Sequence, residues 1–211
     1  MCNLYSMTKG QDALRKLFRV TEDRAGNLPS LPAIFPDQMA PIVRGEAEGR
    51  RVLEMMRWGF PPPPNVGSHP VTNVRNLASP YWRPWLRREA RCLVPVTAFC
   101  EYTDSRPKIP HWFALAEDRP LFAFAGIWRS WSGTRRGVEG EHRLFAFLTT
   151  ETNALLRPVH AKAMPVVLCA DDWDLWLEGE QADVVALQRP VAEDVLRLVA
   201  TGSRADPGEA A

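Results

Sequence analysis

The sequence predicts an α+β fold: a single domain in which a curled, barrel-like, mostly antiparallel sheet carries peripheral helices. Short runs rich in aromatic and β-branched residues, "ARCLVPVTAFCEY", "HWFALA", "LFAFAGIW" and "RLFAFLTT", follow one another through the middle of the chain with polar turns between them. Helical spacing is found near the two ends. No internal repeat and no linker divides the 211 residues, 45% of them hydrophobic, so the chain can bury one sizeable core.

Taken in order, "MCNLYS" precedes "TKGQDALRKLFRV", where Thr8 and Gln11 have the spacing of a capping box and Leu14, Leu17 and Phe18 share a helical face. "AGNLPSLPAIFPDQMAP" is an irregular crossing. "PIVRG" and "RRVLEMMRWGF" flank a Gly-Glu-Ala-Glu-Gly turn and read as a hairpin, and "PPPPNVGSHP" as a stiff exposed loop. After the aromatic strands, "ETNALLRPV" reads as a short helix ended by Pro158, "MPVVLC" as a strand, and "DDWDLWLEG" as a helix capped by Asp171 or Asp172. The domain is expected over 1–200, with 201–211, "TGSRADPGEAA", a disordered tail.

Composition narrows the function classes. Lys+Arg of 26 against Asp+Glu of 25 leaves a formal charge of +1, so a polyanion site must be a local cluster. No apolar run approaches ~18 residues and no basic-then-apolar leader opens the chain, which predicts a cytosolic protein without a membrane span. The four cysteines, at 2, 92, 100 and 169, lack zinc-type spacing. No metal or organic cofactor is implied. Cys92, Cys100 and Cys169 are expected to be small buried hydrophobes.

Other stretches do not look like core. Removal of Met1 would leave Cys2 with an α-amine of pKa about 7.7–8.0 beside a thiol of pKa about 8.5. An aldehyde attacked by that amine forms an imine, which the neighbouring thiol closes into a thiazolidine. Only a terminal cysteine can do this. Glu101 interrupts the apolar run "LVPVTAFCEY"; facing inward, its pKa would rise and make it a proton shuttle. His160 can hold a proton near neutrality. Asn73 can orient an amine or an oxyanion, or serve as a turn residue. Arg75, Arg83, Arg87, Arg88 and Arg91, interleaved with Tyr81, Trp82 and Trp85, suit either single-stranded nucleic acid or a solvated helix with a buried Trp face.

Together, Cys2, "RWG" at Arg57–Gly59, "NVR" at Asn73–Arg75, "CLVPVTAFCEY" and "HAKAMPVVL" resemble the SRAP family, the SOS-response-associated peptidases that process abasic sites. The resemblance implies a β-rich, barrel-like fold. It implies that the exposed Cys2 forms a thiazolidine crosslink with an abasic site in single-stranded DNA, a single-turnover reaction preceded by peptidase-like removal of Met1. A strand-cleaving lyase side reaction could share the imine. It further implies that Asn73 positions the amine and opened sugar, that Glu101 shuttles protons, and that His160 assists sugar opening and imine formation. Arg75 would hold the DNA backbone, Trp58 would line the DNA groove, and Arg83 and Lys162 would add contacts. The protein is expected to be a monomer, nucleoid-associated when on DNA. Asn3 and Leu4 stand where the family commonly has Gly and Arg, and Lys162-Ala163 where it has a single Arg. Two other readings are a Cys2–His160–Asn73 thiol hydrolase and a non-covalent single-strand binder using the Arg/Trp segment.

Overall fold

The structure is a computed structural model that describes residues 2–63, 67 and 69–208. In chain order the elements are β1 (Tyr5–Met7), α1 (Gln11–Leu17), β2 (Glu22–Asp23), β3 (Leu31–Ile34), β4 (Met39–Gly45) and β5 (Arg51–Trp58). Next come β6 (Asn73–Val74), β7 (Arg91–Val96), β8 (Ala98–Tyr102), β9 (Pro110–Ala114), β10 (Phe122–Arg135) and β11 (Val138–Thr150). The last elements are β12 (Met164–Pro165), β13 (Val167–Leu168), α2 (Trp173–Glu178), α3 (Gln181–Val185) and β14 (Arg197–Thr201).

The expected hairpin forms: β4 and β5 pair antiparallel from Met39↔Arg57 to Gly45↔Arg51. β4 also pairs with β7, β7 with β10, and β10 with β11, all antiparallel. A parallel pairing of β11 with β5, at Leu144↔Arg57 and Phe145↔Trp58, then closes these strands into a mixed five-stranded barrel. Closure leaves no barrel edge to protect. The interior is aromatic: Phe124 and Phe147 lie 4.9 Å apart, and Trp58 stacks on Phe147 at 5.2 Å. Each such side chain contributes about 1.5–3 kcal/mol on full burial.

A second sheet has the order β14-β9-β8-β1-β3. The run "ARCLVPVTAFCEY" serves both layers, as β7 in the barrel and β8 in this sheet. The crossing is at Thr97, whose hydroxyl bonds Ser6 Oγ at 3.1 Å and receives the Thr8 amide at 3.1 Å. Gly59 of the "RWG" stretch has φ +127, and a Cβ there would sit 2.6 Å from Pro70 Cβ, so only glycine fits.

Several local expectations are corrected. Thr8 bonds Thr97 rather than capping α1, and Gln11 donates to Asp23 and Gly26, because the helix begins at Gln11 with Gly10 as its N-cap, which leaves Thr8 too early to cap it. "ETNALLRPV" forms turns without a helix; Asn153 Oδ1 takes the Leu156 amide and Pro158 prevents propagation. Cys169 is exposed, beyond the end of β13. The segment from Trp82 to Ala90 makes short 3₁₀ turns instead of a helix. Of the proline-rich loop, residues 64–66 and 68 lie outside the described residues, as does Met1.

The largest correction concerns the tail. Thr201 ends a strand paired to β9, and residues 202–208 are tied down rather than disordered. The Trp112 indole donates to Ser203 O at 2.9 Å, and the Asp206 amide donates to Pro32 O at 2.9 Å. The Asp206 carboxylate, 5% exposed, accepts Ser6 Oγ at 2.7 Å and Arg119 Nε at 3.2 Å. Residues 209–211 lie outside the described residues. Among the described residues, no helix is long and apolar enough to cross a membrane.

Candidate active site at the amino-terminal strand

Cys2 precedes β1, and β1 lies between β8 and β3 in its sheet. The ladder extends toward the chain's start, with the Cys100 amide donating to Leu4 O at 2.9 Å. This draws Cys2 into the interior, 1% exposed, with its thiol directed at Leu4 O (3.5 Å) and Cys100 O (3.9 Å). Burial, and after it the Glu101 carboxylate, pushes the thiol pKa well above its ordinary value, so the sulfur is held protonated.

Asn73 arrives from the barrel layer, where β6 runs parallel to β11 with Asn73 opposite Phe147. Its Nδ2 donates to Cys2 O at 2.9 Å and to Thr72 Oγ1 at 2.8 Å. Its Oδ1 is buried without a partner among the described residues, an acceptor held close to Cys2. Glu101, on β8, is 2% exposed, and its Oε1 likewise has no partner there. Burial raises its carboxyl to about 7, where it can take or give a proton at neutral pH. His160 is half-buried and follows the turn fixed by Asn153, its amide donating to Leu156 O at 2.9 Å. Burial first, and then nearby positive charge that includes Lys162 and Lys108, lowers its pKa and favours neutral imidazole.

Glu101 and His160 share a cleft of about 400 Å³ with Asn3, Tyr102, Asp104, Lys108 and Arg204. A larger cavity of about 700 Å³ lies elsewhere, lined by Arg44, Arg50, Arg88, Trp128 and several glutamates. Its charges are already matched, Arg44 and Arg50 to Glu46 and Arg88 to Glu178, and neither Asn3, Glu101 nor His160 lines it. The smaller cleft is therefore the candidate. Its residues span almost the whole sequence, and the pairing of β8 with β1 makes Asn3 and Glu101 neighbours.

The remaining sequence candidates separate. Arg75 and Lys162 are exposed and adjacent, Arg75 Nη1 donating to Lys162 O at 3.4 Å. Arg83 is exposed but lines a shallow depression with Pro80, Pro84, Arg87 and Gln181, away from the cleft. Trp58 corrects an expectation outright. It is 0% exposed within the aromatic core, its Nε1 donating to Thr72 O at 3.1 Å, so it supports the turn carrying Asn73 and presents no face to a DNA groove. Sequence reasoning missed Lys108, Tyr102 and the tail residue Arg204. Their signal was only that Tyr102 ends the "FCEY" stretch, that Lys108 follows it closely, and that Arg204 carries charge in an otherwise small-residue tail. No group of side chains suited to a metal ion occurs among the described residues.

The model of the SOS response associated peptidases (SRAP) matches residues 1–204. The chain belongs to the SRAP family. Solved structures similar to this SRAP chain include a protein of Bordetella bronchiseptica, 22% identical over 95% of this chain and 98% of the other, with a TM-score of 0.76. A Bacteroides thetaiotaomicron protein is 21% identical over 93% and 90%, TM-score 0.70. A phage-related protein of Bordetella bronchiseptica is 20% identical over 93% and 92%, TM-score 0.68. At these identities the likeness shows the SRAP fold alone. No curated protein matches the chain.

Proposed function

We propose that this SRAP protein captures abasic sites in single-stranded DNA through Cys2 once Met1 has been removed. The observation that carries this reading is that Asn73 bonds the Cys2 carbonyl and Glu101 acts on its thiol, while Glu101 and His160 line one cleft with the adjoining Asn3. The bared amine adds to C1′ of the ring-opened sugar and water leaves, giving an imine. The thiol sulfur then adds to the imine carbon while its proton passes to nitrogen, closing the thiazolidine. One water is released overall and no redox change occurs.

Each neighbour has a task. Glu101, with its carboxyl near 7, takes the ammonium proton before attack and relays the thiol proton during ring closure. It is needed because burial keeps the thiol protonated. Asn73 fixes the Cys2 carbonyl, and its unpaired Oδ1 offers an acceptor to the amine. Neutral His160 donates to or accepts from the sugar oxygen as the ring opens. Arg75 and Lys162 hold the backbone electrostatically.

A Cys–His–Asn hydrolase is less well supported. Its thiol would need activation, whereas burial here opposes ionisation, and Asn73 bonds the Cys2 backbone. Incubation with a single-stranded oligonucleotide bearing one abasic site is expected to give a heat-stable adduct, at most one per protein. The adduct should be absent with Cys2→Ala or an intact strand. Equal adduct from Cys2→Ala would remove the proposal, and multiple turnover of a peptide would favour the hydrolase.

A further inference from the structure

The tail from Gly202 to Gly208 is fastened on both sides of one exposed cation. Ser203 O accepts the Trp112 indole at 2.9 Å on one side of Arg204. On the other, Asp206 is held by Ser6, Arg119 and its own amide bond to Pro32 O. Arg204 is thereby set on the lining of the Glu101–His160 cleft beside Tyr102, whose hydroxyl pKa is raised by burial and then by Cys100, with the Arg204 guanidinium opposing. Lys108, also exposed, lines the same cleft.

The other side of the balance is small. The stretch leading into β1 supplies no side-chain cation here, since Asn3 is uncharged and Leu4 is 0% exposed. Asp104 is the surface acid on the lining, and Glu101 is partly protonated at neutrality. The cleft therefore carries net positive charge next to the group proposed to react, and a guanidinium fork suits two oxygens of a phosphodiester. The position is independent of Arg75 and Lys162. Those come from the barrel layer, whereas Lys108 and Arg204 adjoin β9 and β14 of the other sheet.

We propose that Lys108 and Arg204 form a phosphodiester subsite at the mouth of the cleft, holding the backbone phosphate beside the sugar presented to Cys2. This rests on the abasic-DNA reading above. The test is fluorescence anisotropy with a labelled single strand carrying a tetrahydrofuran abasic analogue, which has phosphates but no aldehyde, titrated at several salt concentrations. Arg204→Gln and Lys108→Gln should each weaken binding about tenfold at low salt. The slope of log K against log salt should fall by about 0.7 for each phosphate no longer neutralised. Arg204→Lys should keep the slope while lowering affinity. A double Gln variant with the parent's affinity and slope overturns the subsite.

Adduct formation by the parent on an aldehyde-bearing strand, run in parallel, separates the two ideas. Parent adduct with unchanged double-variant binding removes the subsite alone. Weakened variant binding with no parent adduct keeps the subsite and removes the crosslinking reading. Capture of free 2-deoxyribose, which has no phosphate, should be equal in parent and Arg204→Gln; a decrease there would assign Arg204 to the fold and overturn the subsite.

Discussion

Residues 81–91 and residues 201–208 make opposite use of arginine. The first segment, dense in Arg and Trp, looks like a nucleic-acid surface, yet much of it is structural. Trp82 is 8% exposed and packs on Phe60 at 5.9 Å, Trp85 lies beneath Arg129 at 4.4 Å, and Arg91 is 2% exposed with Nη2 on Gly179 O at 2.7 Å. The second segment has the composition of a disordered end, yet it is bonded to the strand that leads from Cys2 and sets a cation on the cleft. Composition reports what a segment could touch. Only long-range pairing decides what it does touch.

The contrast can be broken most forcefully at Asp206. Asp206→Ala leaves the Arg119 guanidinium buried without its closest carboxylate and frees Ser6, and should cost about 3–5 kcal/mol. Denaturant unfolding checks this, and a decrease below about 0.5 kcal/mol would show the tail merely resting on the surface. Next comes Trp82→Ala, expected to cost about 3 kcal/mol by opening a cavity against Phe60. The crosslinking rate of the folded fraction should stay at the parent value; a rate that collapses while stability holds would return this segment to the site.

Acidity sharpens the comparison further, because the cleft lined by the tail contains Glu101. Its carboxyl is raised from 4.5 to about 7, so the folded state binds more protons than the unfolded state between those values. Stability from this group is fully present below about 4.5 and is lost as pH rises to about 7. The total change is on the order of 3–4 kcal/mol. Glu101→Gln should abolish that fall, gaining stability over the parent above pH 7 while losing the inflection near 7 in its crosslinking rate. Parallel stability profiles for parent and variant would refute the assignment. The smallest effect is expected from Arg83→Gln with Arg87→Gln, exposed and away from the cleft: within about 0.5 kcal/mol in stability. Thermal unfolding and the salt slope of strand binding measure both consequences, and a slope change as large as that of Arg204→Gln would place DNA on this segment.

The barrel was legible because its strands announce themselves locally, as in "LFAFAGIW" and "RLFAFLTT", and the β4–β5 hairpin because a Gly-bounded turn sits between apolar runs. Cys2, Asn73, Glu101 and His160 stood out as polar residues in ordered motifs; the fold sets Asn73 against Cys2 and puts Glu101 and His160 on one cleft. Trp58 was misread because a motif identifies a residue without telling which way it faces; the parallel closure of β11 on β5 turned it inward. The tail was misread because its partners, Ser6, Pro32, Trp112 and Arg119, are dispersed along the chain. The helix expected at "ETNALLRPV" lost to Asn153, whose side chain satisfies the turn locally.

Chain ends ordinarily fray, and a reagent mounted on one would have to be immobilised each time it met its target. Here β1 has a neighbouring strand on each side, so conformational freedom at Cys2 is surrendered during folding. On the proposed reading, the damaged strand is then all that remains to be ordered when it binds, which lowers the entropy cost of bringing the reacting atoms together.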